Sequence, residues 1–242
     1  MKKIFVVLIL SSLVMTACEK QSRAIYKEDI QNYGIIHTSD KLGFDILDRN
    51  LGAARAFHPS DDMSTVGDIQ KIAGNYYQYG CNSPVGTAFT LNEKYDKEHK
   101  NGEFDWSKPE ETPCPEGWRI PSREEWQKIY AAFEMTQNGN IGEQTEEGAR
   151  VEDALNLPHS SWWTIKGDTP EERAATDPEL LLYDPTTSGS TGFDVFWSCT
   201  PVQGKGSLSE RGIPQVYVFY KEFDPIIAGH EINEAMPIRC IR

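Results

Sequence analysis

One stretch of the chain, PCPEGWRIPSREEWQKIYAAF at residues 113–133, combines a cysteine, several prolines, two tryptophans and a helix start. Ser122 and Glu125 form a predicted capping box, in which each side chain accepts a hydrogen bond from the other residue's amide. Four apolar residues then recur at i, i+3, i+4 and i+7 on one helix face: Trp126, Ile129, Tyr130 and Phe133. We expect a buried helix over about residues 123–133. Because its polar residues have structural roles, a catalytic loop is disfavoured.

The N-terminus, MKKIFVVLILSSLVMTAC, predicts export. Two lysines precede a short apolar run and small residues, which is typical of a bacterial signal peptide over residues 1–17 and too short for a spanning helix. The ending Met15-Thr16-Ala17-Cys18 resembles a lipobox, with Met where Leu is more usual, and implies lipidation of Cys18 after cleavage. The alternative is an ordinary secretory signal with an incidental cysteine. Residues 18–33 are polar and are predicted to be a tether, followed by one domain over residues 34–242.

Charge limits the partners. Loss of Lys2 and Lys3 leaves 22 basic residues against 37 acidic ones, a net charge of −15. Nucleic acid and anionic lipid headgroups both require a basic surface, so neither is an expected partner. Membrane contact is expected through the lipid alone, because no second apolar stretch in the sequence is long enough to span a bilayer.

The exported chain keeps four cysteines besides Cys18: Cys81, Cys114, Cys199 and Cys240. An even number in an oxidising compartment predicts two disulfides, with three possible connectivities. A zinc site is not expected, because the sequence has no CxxC pair and its histidines lack ligand spacing.

No cofactor is expected from the motifs. Asp61, Asp62 and Asp68 could supply oxygen ligands to calcium, but a solvated acidic loop is the favoured interpretation. No Ser–His–Asp spacing or GxSxG-like element predicts a nucleophile, so no catalytic residue is assigned.

Strand patterns come first along the chain, helix patterns follow, and strand patterns return near the C-terminus, without βαβ alternation. Strands are predicted near residues 33–37 and 44–49, then a short helix ending at Gly74, then a strand carrying Tyr76 and Tyr77. A second long helix is predicted from about Thr145 to Leu155. Near the C-terminus, DVFWSCT, PQVYVFY and AMPIRCIR are strand-like, and PQVYVFY is apolar on both faces, as in a central strand. This order predicts the α+β class.

Five fragments resemble the Fibrobacter succinogenes major paralogous domain, an extracellular module common in Bacteroidetes lipoproteins. They are DILDRNLGA, NYYQYG, PCPEGWRIPSREEW, FWSC and PIRCIR, spread over about residues 40–242. The RIPSREEW piece also resembles the RLPTEAEW segment of formylglycine-generating-type domains, which have a C-type-lectin-like fold. The resemblance implies two main helices, a small irregular and mostly antiparallel sheet, and long loops on one side.

The same resemblance implies a disulfide between Cys114 and Cys240, which would tie the domain ends together. It leaves Cys81–Cys199 as the second pair, with the alternative that one or both of these cysteines are free. It gives no support to two activities. The redox-active cysteine pair of formylglycine-generating enzymes has no counterpart here, and the EPN, QPD and WND motifs of calcium-dependent lectins are absent from the sequence. Calcium is therefore compatible with the chain but unsupported by any motif.

In lectin-like folds, ligands usually bind the long loops before the final strands, here about residues 158–190. That region contains Trp162 and Trp163, of which a strand would bury at most one, and Asp168 nearby. An exposed indole beside a carboxylate suits stacking on a sugar or anchoring a protein. The alternative is that both indoles cover the core.

Three functions are compatible with these features. The favoured one is a non-enzymatic, lipid-anchored binding module on the bacterial cell envelope, expected at the outer membrane, presenting its loops to a glycan or protein. The second is a structural or accessory subunit of a fimbria-like appendage. The third is a divergent enzyme of the formylglycine-generating type. Because a fold does not determine a function, the order of these hypotheses rests on analogy.

Overall fold

The structure is a computed structural model that describes residues 26–58, 61, 65–99, 102–132, 162–166, 170–181, 193–201, 214–220, 226–229 and 232–242. The described helices are α1 (Ser39–Leu42), α2 (Val66–Ala73), α3 (Arg123–Ala132) and α4 (Pro170–Ala175), with 3-10 turns at Ile30–Asn32 and Pro109–Glu111. The described strands are β1 (Ile35–Ile36), β2 (Ile46–Leu47), β3 (Asn75–Gln78), β4 (Gly86–Thr87), β5 (Trp162–Thr164), β6 (Glu179–Leu181), β7 (Phe193–Pro201), β8 (Pro214–Tyr220), β9 (Ile226–Gly229) and β10 (Ala235–Pro237).

The strands form three antiparallel sheets in the part of the chain that is described. β1 pairs with β2, a five-stranded sheet has the order β4-β3-β10-β5-β6, and a three-stranded sheet has the order β7-β8-β9. The predicted α+β class is therefore confirmed as a mixture of short helices and antiparallel sheets. PQVYVFY is β8, the middle strand of its sheet, as its two apolar faces predict.

The five-stranded sheet has a different hydrophobic cluster on each face, because successive strand residues point to opposite sides. Tyr77 pairs with Met236, and both lie in the larger cluster with Trp118 and Trp197. Tyr76 lies in a smaller cluster with Ala235 on the other face. We call these the Tyr77 face and the Tyr76 face. The larger cluster is the core that fixes the fold, and the smaller one supports the site described below.

Helix α3 begins with the predicted capping box. The Glu125 amide donates to Ser122 Oγ at 3.2 Å, and the Ser122 amide donates to Glu125 Oε2 at 2.8 Å. Arg119 donates two further bonds to the same carboxylate, at 2.6 and 2.5 Å. Burial alone would raise the pKa of Glu125, but these hydrogen bonds outweigh it and lower the pKa. Trp126 is buried and stacks on Phe196 with ring centroids 5.2 Å apart.

The C-terminal residues are held against the rest of the domain by a disulfide and by hydrogen bonds. Cys240 forms the predicted disulfide with Cys114. The backbone of residues 240–242 forms hydrogen bonds with the backbone of Leu47, Arg119 and Asp45. Arg239 is fully buried, with Nε donating to Asn50 Oδ1 at 3.0 Å and Nη1 donating to the Leu47 carbonyl at 2.8 Å. The last residues of the chain therefore close the fold, as the resemblance implies.

Helix α2 ends where the sequence predicts, at Gly74. This glycine has a φ of +79°, and a Cβ there would lie 2.5 Å from the Leu51 carbonyl oxygen, so both backbone angle and space require glycine. The predicted helix over about 145–155 lies outside the described residues. Among the described helices, none is long and apolar enough to cross a membrane.

Candidate functional site

The candidate site lies where three distant segments meet beside the Tyr76 face of the sheet. Tyr95, Trp163 and Phe89 are half-buried and pack against the small cluster of Ala73, Tyr76, Val85, Ala88 and Ala235. Trp163 reaches this position because β5 pairs with β10, which places it opposite Ala235. A group of partly exposed aromatic side chains on a packed base is a surface suited to ligand contact.

Trp163 is fixed in place by its own hydrogen bond. The indole Nε1 donates to the Thr87 carbonyl at 2.9 Å, which ties β5 to the end of β4. The ring therefore has a defined orientation while part of its surface stays accessible. A rigid aromatic ring loses little entropy when it contacts a ligand.

A buried carboxylate lies at the end of the same strands. Glu234 is only 7 % exposed and immediately precedes β10. Its Oε1 accepts a hydrogen bond from Thr164 Oγ1 at 2.7 Å, and Thr164 is the last residue of β5. Antiparallel pairing brings the two residues together across 70 positions of sequence.

The hydroxyl of Tyr95 is the unusual group of the site. It is inaccessible to solvent and has no hydrogen-bond partner among the residues that the structure describes. Burial raises the pKa of this tyrosine, and the nearby Glu234 and Asp96 carboxylates raise it further. A buried hydroxyl without a partner costs free energy, so such groups mark either strain or a binding position.

The loop that carries Tyr95 is held rigidly against the sheet. Gln78 Nε2 donates to the carbonyls of Asp96 at 2.7 Å and Asn233 at 2.8 Å, and Gln78 Oε1 accepts from the Asp96 amide at 3.0 Å. The Tyr95 amide itself donates to the Asn92 carbonyl. The unpartnered hydroxyl therefore belongs to a well-fixed loop beside Glu234. We call Tyr95, Trp163, Thr164 and Glu234 the aromatic–carboxylate site.

The profile of the Fibrobacter succinogenes major domain matches residues 47–242. The chain belongs to this family. The resemblance based on the five sequence fragments is thereby confirmed over most of the chain. Searches among curated proteins and among solved structures gave no match.

The predicted ligand face of this major domain is only partly described. Trp163 lies in the aromatic–carboxylate site and is half-buried. Its exposure is thus intermediate between that of an exposed ligand-binding indole and that of an indole covering the core. The backbone of Trp162 lies in β5, but its side chain is outside what the structure describes, as are Asp168 and the predicted anchor Cys18. Glu234, Tyr95 and Thr164 were not predicted, because no local motif links three residues so far apart in the sequence.

The predicted second disulfide, Cys81–Cys199, is not formed in the structure, where both residues are thiols. The two sulfurs have different surroundings: Cys81 Sγ lies 3.9 Å from His99 Nε2, whereas Cys199 packs at the edge of the large cluster. Burial raises the pKa of the Cys199 thiol to about 11, so this thiol is protonated at neutral pH.

The aspartates considered for calcium have other partners where they are described. Asp61 pairs with Arg55 at 2.7 Å, and Asp68 pairs with Lys71 at 3.0 Å beside the start of α2. Asp62 lies outside the described residues. In the described part of the chain, no three His, Cys, Asp or Glu side chains cluster as a metal site requires.

Proposed function

We propose that this chain is a non-enzymatic lipoprotein of the bacterial envelope, anchored through Cys18, whose major domain is a C-type-lectin-like binding module. The ligand that best suits the aromatic–carboxylate site is a neutral glycan. The observation that carries this proposal is the unpartnered Tyr95 hydroxyl beside a buried carboxylate and a fixed, half-exposed indole.

The chemistry of these groups is complementary to a sugar. A pyranose ring presents C–H faces that pack on an indole, and its hydroxyls both donate and accept hydrogen bonds. Glu234 can accept from a sugar hydroxyl in addition to Thr164, and Tyr95 can donate to one. A ligand hydroxyl that reaches the buried phenol through a local opening of the site would satisfy it and remove its desolvation cost.

Charge favours a neutral sugar over an acidic one. The mature chain has a net charge of −15, and the Glu234 and Asp96 carboxylates both lie near the Tyr95 hydroxyl. An anionic ligand such as a uronic acid would be repelled there at close range. The ligand class is therefore neutral hexoses or their oligomers.

The proposal is tested with a glycan array, using the chain from Glu19 onward, with and without calcium. Tyr95→Phe removes only the unpartnered hydroxyl, and Glu234→Gln removes the charge at constant shape. Both variants should lose binding to whatever glycan the wild type retains, while their melting temperatures stay close to that of the wild type.

The matched control is Tyr26→Phe, which removes a hydroxyl from an exposed tyrosine that is distant from Tyr95 in the sequence. The Tyr26 hydroxyl donates to Glu28 at 3.3 Å. This variant should bind as the wild type does. Wild-type binding by Tyr95→Phe and Glu234→Gln together would exclude this site. Absence of any glycan ligand would instead favour the accessory-subunit hypothesis.

A further inference from the structure

The segment between the predicted anchor and the domain is docked onto the domain. The Glu28 amide donates to the Pro113 carbonyl at 3.1 Å, beside the disulfide. The Lys27 ammonium group lies within hydrogen-bonding distance of three carbonyl oxygens, those of Pro109 at 3.2 Å, Thr112 at 3.3 Å and Cys114 at 3.4 Å. Residues 26–33, which we call the docked segment, belong to the predicted tether yet contact the folded body.

Glu28 fixes the docked segment to one face of the sheet. Its carboxylate accepts from Tyr26 at 3.3 Å, from Tyr33 at 3.1 Å and from Tyr77 at 3.5 Å. The Tyr33 hydroxyl also accepts from the Gly52 amide at 2.9 Å. Because Tyr77 is the sheet residue in this network, the docked segment lies on the Tyr77 face.

The aromatic–carboxylate site is built on the other face. Tyr95 and Trp163 pack against the cluster that contains Tyr76, the neighbour of Tyr77 in β3, and adjacent strand residues point to opposite sides. The docked segment and the aromatic side chains of the site are therefore separated by the five-stranded sheet.

The chain length between anchor and docked segment is short. Eight peptide units join Cys18 to Tyr26, and eight peptide units span at most about 29 Å. A domain of this length has a radius of gyration of about 17 Å, hence a width of about 45 Å. The segment from Cys18 to Tyr26 is thus shorter than the domain is wide. Cys18 could not reach the bilayer if the docked segment lay on the side of the domain that faces away from the membrane.

We propose that the docked segment sets the orientation of the anchored domain, with the Pro109–Glu111 side towards the bilayer and the aromatic–carboxylate site away from it. This inference rests on the proposed lipid anchor at Cys18. Glu110 and Glu116, both exposed, lie near Lys27 on the docked side. Their negative charge opposes insertion among anionic headgroups. The docked side of the domain therefore faces the lipid surface at a short distance and does not insert into it.

The test uses the lipidated full-length protein in vesicles that contain a fluorescent acceptor lipid. A donor dye is attached at Glu110→Cys on the docked side or at Glu93→Cys, an exposed position two residues from Tyr95. Both carry Cys199→Ser, because that half-buried thiol is the accessible native one of the two described. Energy transfer from position 110 should clearly exceed transfer from position 93.

Two further variants test whether the docked segment, and not the lipid anchor alone, orients the domain. A twenty-residue Gly/Ser insertion between Gln21 and Ser22 lengthens the tether, and Lys27→Met with Glu28→Gln removes the two charged side chains that hold the docked segment. Each should bring the two transfer efficiencies together while the melting temperature shows that the domain remains folded.

Flotation of the vesicles distinguishes the two proposals. A wild type that does not float with the vesicles overturns the anchor and this inference with it. A wild type that floats but gives equal transfer from both positions, or a difference that persists in either the insertion variant or the Lys27→Met, Glu28→Gln variant, overturns the orientation alone and leaves the proposed function standing.

Discussion

The two faces of the five-stranded sheet differ in how completely their polar groups are satisfied. On the Tyr77 face, the buried Trp197 indole donates to the Tyr77 carbonyl at 2.7 Å, and the Glu28 carboxylate accepts from three tyrosines. On the Tyr76 face, the Tyr95 hydroxyl is buried without a partner and two aromatic rings stay half-exposed. Buried polar groups whose hydrogen bonds are all formed favour one structure. A buried polar group without a hydrogen-bond partner is expected where a ligand binds.

The difference assigns stability to one face and recognition to the other. Substitutions on the Tyr77 face should therefore cost stability, and those in the aromatic–carboxylate site should cost binding with little change in stability. Each prediction below tests that division, beginning with the largest expected loss.

Removal of the disulfide by Cys114→Ala with Cys240→Ala should cause the largest loss. The bridge closes a loop with a sequence separation of 126, and the chain-entropy model gives about 5 kcal/mol for a loop of that length. Urea unfolding measures the loss, and reduced wild-type protein provides the comparison. Equal stability of the double variant and the oxidised wild type would show that the bridge does not close the fold.

Trp126→Ala should lower the free energy of unfolding by about 3–5 kcal/mol, since it leaves a cavity under a fully buried indole. Trp163→Ala should cost less, because that indole is half-exposed. Thermal and urea unfolding of both variants decide the order. If Trp163→Ala were the more damaging, the Tyr76 face would be a second core and not a binding surface.

Tyr33→Phe should cost about 1–2 kcal/mol, because the hydroxyl both donates to the Glu28 carboxylate and accepts from the Gly52 amide. The variant keeps the ring and its packing, so urea unfolding reports the hydroxyl alone. A neutral effect would mean that the docked segment adds nothing to stability and would weaken the orientation argument.

Ser122→Ala should cost about 1 kcal/mol through the loss of one half of the capping box. Ser122→Asn, which keeps a capping oxygen, is the control and should recover most of the loss. Equal stability of the alanine variant in urea unfolding would show that the two Arg119 bonds to Glu125 suffice to hold the helix start.

The features that the sequence predicted correctly are local or are marked by family fragments. Ser122 and Glu125 are three residues apart, so the capping box and α3 can be recognised from one window. The disulfide was implied by the two cysteine-containing fragments of the family and not by any spacing rule. The middle position of β8 followed from an apolar run on both faces of one strand.

The features that the sequence did not predict depend on contacts between distant segments. Thr164 and Glu234 are 70 residues apart and meet only because β5 pairs with β10. The docked segment has no apolar periodicity, and it is held by hydrogen bonds of Lys27 and Glu28 that no pattern encodes. The Cys81–Cys199 pair was inferred by elimination from an even count, and an even count does not ensure that two sulfurs meet.

The smallest effect on the free energy of unfolding is predicted for Tyr95→Phe. This effect is most informative when it is compared with that of Tyr33→Phe. Both substitutions remove one phenolic hydroxyl and keep the ring, but the Tyr95 hydroxyl has no partner to lose. Removing a buried, unsatisfied polar group should leave the free energy of unfolding unchanged within about 0.5 kcal/mol or raise it slightly. Parallel urea titrations of the two variants measure the contrast. A loss for Tyr95→Phe as large as that for Tyr33→Phe would show that the hydroxyl is satisfied in solution, and the distinction between a stabilising face and a binding face would then fail at its main point.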